Sequence, residues 1–151
     1  GALRLTMLFN LGGALGALAL AAAMARWPAH RVLAAFFFGG ALAYMAMGLA
    51  AGIPGGLAVA GFLTGVLAGG AQVGLYPVAT GVYPAEVRVT GVGFAQAWGR
   101  VGSIVGPLSG GAVAALSPPF AVYFLVFGAP LLLAGAAMAA LRLPAPGLRP
   151  D

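Results

Sequence analysis

The chain has 151 residues, of which 62% are hydrophobic and 6% charged, whereas soluble domains carry about 25% charged residues. This composition excludes an ordinary soluble domain, and the scattered arginines behind the net charge of +5 exclude a nucleic-acid-binding patch. Because there is no Cys and only a single His, Glu and Asp, far apart in the sequence, disulfides are excluded and neither a metal nor another cofactor is expected.

Five apolar runs are long enough to cross a bilayer, whose hydrocarbon core takes about 20 helical residues. In chain order they cover residues 5–25, 32–51, 56–79, 91–115 and 120–141. Each run is expected to be helical, because lipid offers irregular backbone no hydrogen-bond partner. The predicted fold class is therefore an all-α membrane protein with five transmembrane helices.

The connections between these runs differ in positive charge. Residues 25–31, residues 80–90 and the tail 142–151 hold five arginines and would lie on one side of the membrane. The other side would hold only Arg4. By the positive-inside rule, the tail is expected to be cytoplasmic.

Glycine recurs every four residues in the third and fourth runs. These residues are Gly61, Gly65, Gly69, Gly102, Gly106 and Gly110. Small residues at this spacing let helix backbones approach closely, so helix packing is the interpretation for these positions. Pro107 and Pro130 fall inside runs and predict kinks there.

Polar residues within the runs are few, and they fall at helical spacing. The three predicted faces hold Gln96, Arg100 and Ser103 in the fourth run, Gln72, Tyr76 and Thr80 in the third, and Thr6 and Asn10 in the first. Such faces should turn away from lipid, toward other helices or a watery cavity. For the uncharged members, interhelical hydrogen bonding that merely holds the bundle together is an equally open interpretation.

Arg100 is the most informative of these residues. It lies nine positions inside the fourth run, roughly 13 Å along a helix, and therefore near the middle of a bilayer core about 30 Å thick. A cation at that depth is costly and is retained mainly for function. Since a guanidinium binds a carboxylate through two parallel hydrogen bonds, Arg100 is predicted to anchor an anionic substrate.

Four segments resemble the major facilitator superfamily. They are residues 83–93 (YPAEVRVTGVG), 99–107 (GRVGSIVGP), 10–16 (NLGGALG) and 24–31 (MARWPAHR). The first two resemble the loop before helix eleven and helix eleven itself, most closely in the aromatic acid:proton symporters, with metabolite:proton symporters as close competitors. The other two resemble helix eight and the loop that follows it. The resemblance implies that the five runs are helices eight to twelve, most of the C-terminal six-helix half of a twelve-helix fold.

The resemblance also implies roles for individual residues. Arg100 matches the helix-eleven arginine that aromatic acid uptake requires, and Gln96 lies one turn before it. With Gln72, Tyr76 and Asn10, these two residues form the predicted substrate-binding set. The residues implied in gating at the cytoplasmic loops are Arg88, Glu86, Arg26 and Arg31. Ala25 and Pro28 stand where the family pattern has Asp and Gly, so the usual charge relay of that loop is broken.

These features predict part of a proton-coupled importer of small organic anions, with aromatic carboxylates as the expected substrates. It would be a monomer in a bacterial inner membrane, completed by an N-terminal half that this chain lacks. That half should supply the coupling carboxylate, since Glu86 lies in a loop and Asp151 in the tail. A proton-driven exporter, favoured only by the glycine spacing of residues 102–111, and a non-transporting scaffold or truncated gene product remain alternatives. No enzyme is expected, because no nucleophile–base pair is apparent.

Overall fold

The structure, a computed structural model, describes residues 2–50, 52–116 and 119–141. Within these ranges the chain is helical and contains no strand, which confirms the predicted all-α fold. The helices are α1 (Ala2–Met24), α2 (Ala29–Ala50), α3 (Gly56–Val82), α4 (Arg88–Ala115) and α5 (Phe120–Ala140). The predicted end of the second run at Ala51 and the tail 142–151 lie outside the described residues.

Four of the described helices, α1, α2, α3 and α5, are long and apolar enough to cross a membrane. The fourth predicted run forms α4, whose 28 residues correspond to about 42 Å of helix. Its length suffices, but it is less apolar than the other four. The difference arises from the many glycines of α4 and from Gln96 and Arg100, the two residues that marked this helix as a candidate site.

α3 contains a π-helical turn. α-Helical residues Gly56–Thr64 and Gly70–Val82 flank the π turn Gly65–Gly69. A π turn is rare and often lies at a functional site. Here Leu67 and Ala68 of the turn lie against glycines of α2, while the glycines at its ends lie against α1. The turn is therefore the place where three helices come closest together.

Glycines bring α1 and α3 into direct backbone contact. A Cβ added at Gly16 would overlap the carbonyl of Val66, and a Cβ at Gly65 would overlap the carbonyl of Phe9. At Gly61, one helical turn away, a Cβ would have only ordinary side-chain neighbours, 3.9 Å away. Close packing through small residues is thus confirmed for the third run, and it is tightest at the π turn.

α2 lies between α3 and α5 and runs antiparallel to α5. Residue numbers fall along α5 as they rise along α2, in the contacts Phe38 with Gly135 and Met45 with Gly128. α1 and α3 instead run parallel, as alternate spans of a membrane bundle must.

A buried cluster ties these four helices together at one end. Its members are Leu20, Val32, Leu33, Ala34, Phe37, Ala71 and Met138. They come from the end of α1, the start of α2, the second half of α3 and the end of α5. The ends of α1 and α5 and the start of α2 therefore lie together. The α1–α2 connection and the end of α5 are thus at the same end of the bundle.

Truncation of Leu33 is expected to destabilise the bundle, because its side chain is completely buried. We expect Leu33→Ala to lower the free energy of unfolding by about 2–3 kcal/mol through lost packing contacts. Leu42→Ala is the matched control on the same helix, since Leu42 is 66% exposed. The free energy of unfolding of Leu42→Ala should differ from that of the unaltered protein by no more than about 0.5 kcal/mol. Unfolding in mixed micelles measures both, and equal losses would contradict this burial pattern.

Candidate substrate site

Among the described residues, α4 packs against the rest of the bundle only near its ends. At its start, Gly91 lies against the ring of Tyr83, and toward its end, the hydroxyl of Tyr123 and the ring of Phe127 face Gly110. Between these contacts, residues 93–105 are exposed. The middle of α4 therefore presents an uncovered surface among the described residues.

The predicted polar face of α4 lies in this uncovered region. Gln96, Arg100 and Ser103 are all exposed, and the Ser103 hydroxyl donates to the backbone carbonyl of Arg100 at 2.7 Å. Because α4 begins at Arg88, Arg100 is about 18 Å from the start of the helix, close to its middle. Within the described part of the chain, its guanidinium has no ion-pair partner.

The remaining predicted substrate residues lie on other helices. Gln72 and Tyr76 are exposed on the second half of α3, and Asn10 is exposed on α1. The Asn10 amide donates to the carbonyl of Thr6 at 2.8 Å, one turn away. No hydrogen bond among the described residues joins any of the three to Arg100. The structure thus places all five predicted substrate residues on exposed helix faces, and it does not gather them into one pocket.

The predicted gating residues lie in and beside the connections. The Arg88 Nε donates to the carbonyl of Tyr83 at 3.3 Å, which ties the first turn of α4 to the preceding connection. Glu86 is exposed in that connection, while Arg26 and Arg31 are exposed around the connection between α1 and α2. Over the described ranges, Glu86 forms no ion pair with any of these arginines, so the gating contact stays a prediction.

An aromatic cluster holds the far end of α4, and sequence reasoning missed it. Tyr44 packs against Phe124 with ring centroids 5.0 Å apart, and Tyr123 packs against Phe124 and Phe127 at 5.8 and 4.8 Å. Because Tyr123 and Phe127 also face Gly110, the cluster links α2, α5 and α4. The aromatic residues near the start of the fifth run were the available signal, but their spacing does not specify the partner helix.

The sequence matches the Major Facilitator Superfamily over residues 2–151. A gallate transporter of Pseudomonas putida is 37% identical over 137 residues, which are 90% of this chain and 30% of that protein. A 3-(3-hydroxy-phenyl)propionate transporter of Escherichia coli (strain K12) is 36% identical over 107 residues, 71% of this chain and 26% of that protein. The 4-hydroxybenzoate transporter PcaK of Pseudomonas putida is 36% identical over 104 residues, 68% of this chain and 23% of that protein.

No solved structure matches the chain at a significant level. The chain spans between 20% and 30% of the length of the curated relatives it matches. These relatives are transporters and not enzymes, and several are named for aromatic acids, as the sequence motifs predicted. The apolar helices and the match over nearly the whole sequence make this a multi-pass membrane protein. The chain belongs to the major facilitator superfamily.

Proposed function

We propose that this chain is part of a proton-coupled importer of aromatic carboxylates that works by alternating access. The observation that carries the proposal is the guanidinium of Arg100, exposed on the middle of a helix among membrane spans and without an ion pair among the described residues. Lipid does not solvate a guanidinium at that depth, so a counter-charge or water must meet it. A substrate carboxylate would supply both the charge and two hydrogen-bond acceptors.

In this proposal, the other predicted substrate residues recognise the rest of an aromatic ligand. Gln96 lies one turn away on the same face and can hydrogen-bond a ring hydroxyl or the second carboxylate oxygen. Gln72, Tyr76 and Asn10 would complete the site from α3 and α1. Relatives named for gallate and 4-hydroxybenzoate transport support this substrate class, since both compounds join an aromatic ring to a carboxylate.

The uncovered face of α4 supports a larger assembly. The relatives are at least three times longer than the region they share with this chain. We propose that the remainder of the transporter covers this face, so that Arg100 lies at the interface between two halves that rock against each other. The coupling carboxylate would belong to that remainder, because Glu86, the carboxylate among the described residues, lies in a connection.

Gating and orientation form part of the same proposal. The arginine-bearing connections would face the cytoplasm of a bacterial inner membrane, with Arg88, Glu86, Arg26 and Arg31 acting at the cytoplasmic gate. The transporter would be a monomer at full length. On the described helices, the glycine spacing of residues 102–111 is the one feature that favours the alternative of a drug or metabolite exporter.

Uptake of labelled 4-hydroxybenzoate by cells that produce the full-length protein tests this function. We expect uptake to be saturable, to collapse when a protonophore dissipates the proton gradient, and to be inhibited by unlabelled gallate. The neutral analogue 4-hydroxybenzyl alcohol should compete about 30-fold more weakly, because it lacks the charge that pairs with Arg100. Equal competition by the alcohol would contradict carboxylate recognition, and proton-driven expulsion of preloaded substrate would contradict import.

A further inference from the structure

A cleft of about 290 Å³ lies beside the connection between α1 and α2. Its apolar wall includes Ala23 at the end of α1 and Val32, Ala35 and Phe36 in the first turns of α2. None of the five predicted substrate residues lines it. The cleft is therefore separate from the predicted substrate site, although Arg31 in its lining belongs to the predicted gating residues. Its wall offers the surface that a hydrocarbon chain requires.

Positive charge surrounds the mouth of this cleft. Arg31 lines it directly, and Arg26 lies in the connection that borders it. Both side chains are exposed, and within the described ranges neither has an acidic partner. The start of α2 adds the positive end of a helix dipole at the same place. The mouth thus favours an anion.

Trp27 indicates where the mouth lies relative to a membrane. It lines the cleft, yet 62% of its surface is exposed. Tryptophan is enriched at the boundary between hydrocarbon and headgroups, and arginine near a helix end reaches toward the headgroup phosphates. The basic mouth is complementary to an anionic headgroup, and the apolar groove below it is complementary to an acyl chain. At the end of two spans, this arrangement matches an anionic phospholipid.

We propose that the cleft formed by Ala23, Trp27, Arg31, Val32, Ala35 and Phe36 binds an anionic phospholipid. Its phosphate contacts the guanidinium of Arg31, and the first carbons of an acyl chain lie along Ala35 and Phe36. Basic pockets between transmembrane helices are known sites for acidic headgroups. The proposal depends on the membrane location of the chain and not on its transport substrate.

Native mass spectrometry of the full-length protein, titrated with phosphatidylglycerol or phosphatidylcholine in detergent, tests this site. We expect phosphatidylglycerol to be retained preferentially. Arg31→Gln should weaken its binding about fivefold, the factor that corresponds to ~1 kcal/mol for one arginine near a headgroup. Binding of phosphatidylcholine should be unaffected by this change. Arg31→Lys, which keeps the charge, should retain the preference.

Three further measurements test alternative explanations. These are nonspecific attraction of the lipid by positive charge, lipid binding at another site, and binding of a free anion in this cleft. Arg4→Gln removes an exposed arginine at the other end of the bundle. If it weakens phosphatidylglycerol binding as much as Arg31→Gln does, the attraction is nonspecific and the proposal is overturned. Ala35→Phe fills the groove and should weaken the binding of both lipids. Unchanged binding would mean that the lipids bind at another site, which would overturn the proposal. Displacement of phosphatidylglycerol by inorganic phosphate would reveal a free-anion site and would also overturn it.

Discussion

Replacing Gly16 by alanine is expected to lower the free energy of unfolding by about 3 kcal/mol, the upper part of the range for overpacked interiors. The new methyl group would overlap the carbonyl of Val66, which belongs to the backbone of α3 and cannot rotate away. The two helices would have to separate, and contacts along their whole interface would weaken. Gly65→Ala should behave alike, because its methyl group would overlap the backbone of Phe9.

Two matched glycines on the same helices provide the controls. At Gly13 a Cβ would lie 3.7 Å from its nearest neighbour, and at Gly61 the nearest neighbours are side-chain atoms at 3.9 Å. Alanine at either position makes ordinary contact, so we expect changes within about 0.5 kcal/mol. Reversible unfolding in mixed micelles would compare all four variants. Equal stability of Gly16→Ala and Gly13→Ala would mean that α1 and α3 are not in backbone contact.

Helix number and extent could be predicted closely, because an apolar run in lipid has no conformation available other than a helix. The helix ends were predicted less closely. α1, α2 and α4 each begin three residues before the predicted start, because apolarity alone does not mark a helix end that extends beyond the hydrocarbon. The π turn was not predictable, since residues 65–69 are apolar or glycine, a composition that an α-helix in a membrane accommodates equally well.

Positions around one helix could be predicted, but relations between helices could not. Gln96, Arg100 and Ser103 lie on one face of α4, as their spacing predicted, because the helix runs unbroken through all three positions. Whether Gln72 or Asn10 approaches that face depends on how α3 and α1 pack relative to α4. Helical periodicity carries no information about that packing. The glycine spacing likewise indicated close approach at Gly65 without identifying α1 as its partner.

The middle of α4 has no packing partner among the described residues. Gly102 and Gly106 have open space beside them, although their spacing is typical of a helix–helix contact. The contacts at Gly91 and Gly110 hold the two ends of the helix, while the middle carries the polar face. Under the proposed alternating access, this polar middle of α4 would face the remainder of the transporter.

Replacing Arg100 by alanine is expected to abolish uptake of aromatic carboxylates by the full-length transporter. Truncating one partner of a desolvated charge pair costs about 2–5 kcal/mol, so substrate affinity should fall by at least ~30-fold. Arg100→Lys should retain part of the affinity, because an ammonium keeps the charge but cannot form the two parallel hydrogen bonds of a guanidinium. Initial uptake rates over a range of 4-hydroxybenzoate concentrations measure both effects.

The amount of each variant in the membrane must be measured alongside uptake, since a misfolded protein would also fail to transport. Arg100→Ala removes an exposed charge that has no ion pair within the described residues, so we expect it to be inserted at normal levels. Arg4→Ala, at the start of α1, is the matched arginine control and should transport normally. Uptake by Arg100→Ala equal to that of Arg4→Ala would exclude Arg100 from the substrate site. We expect both Arg100 variants to bind a neutral aromatic analogue as well as the unaltered protein does. In that case the loss of affinity arises from the contact with the carboxylate, and the role of Arg100 is recognition of charge.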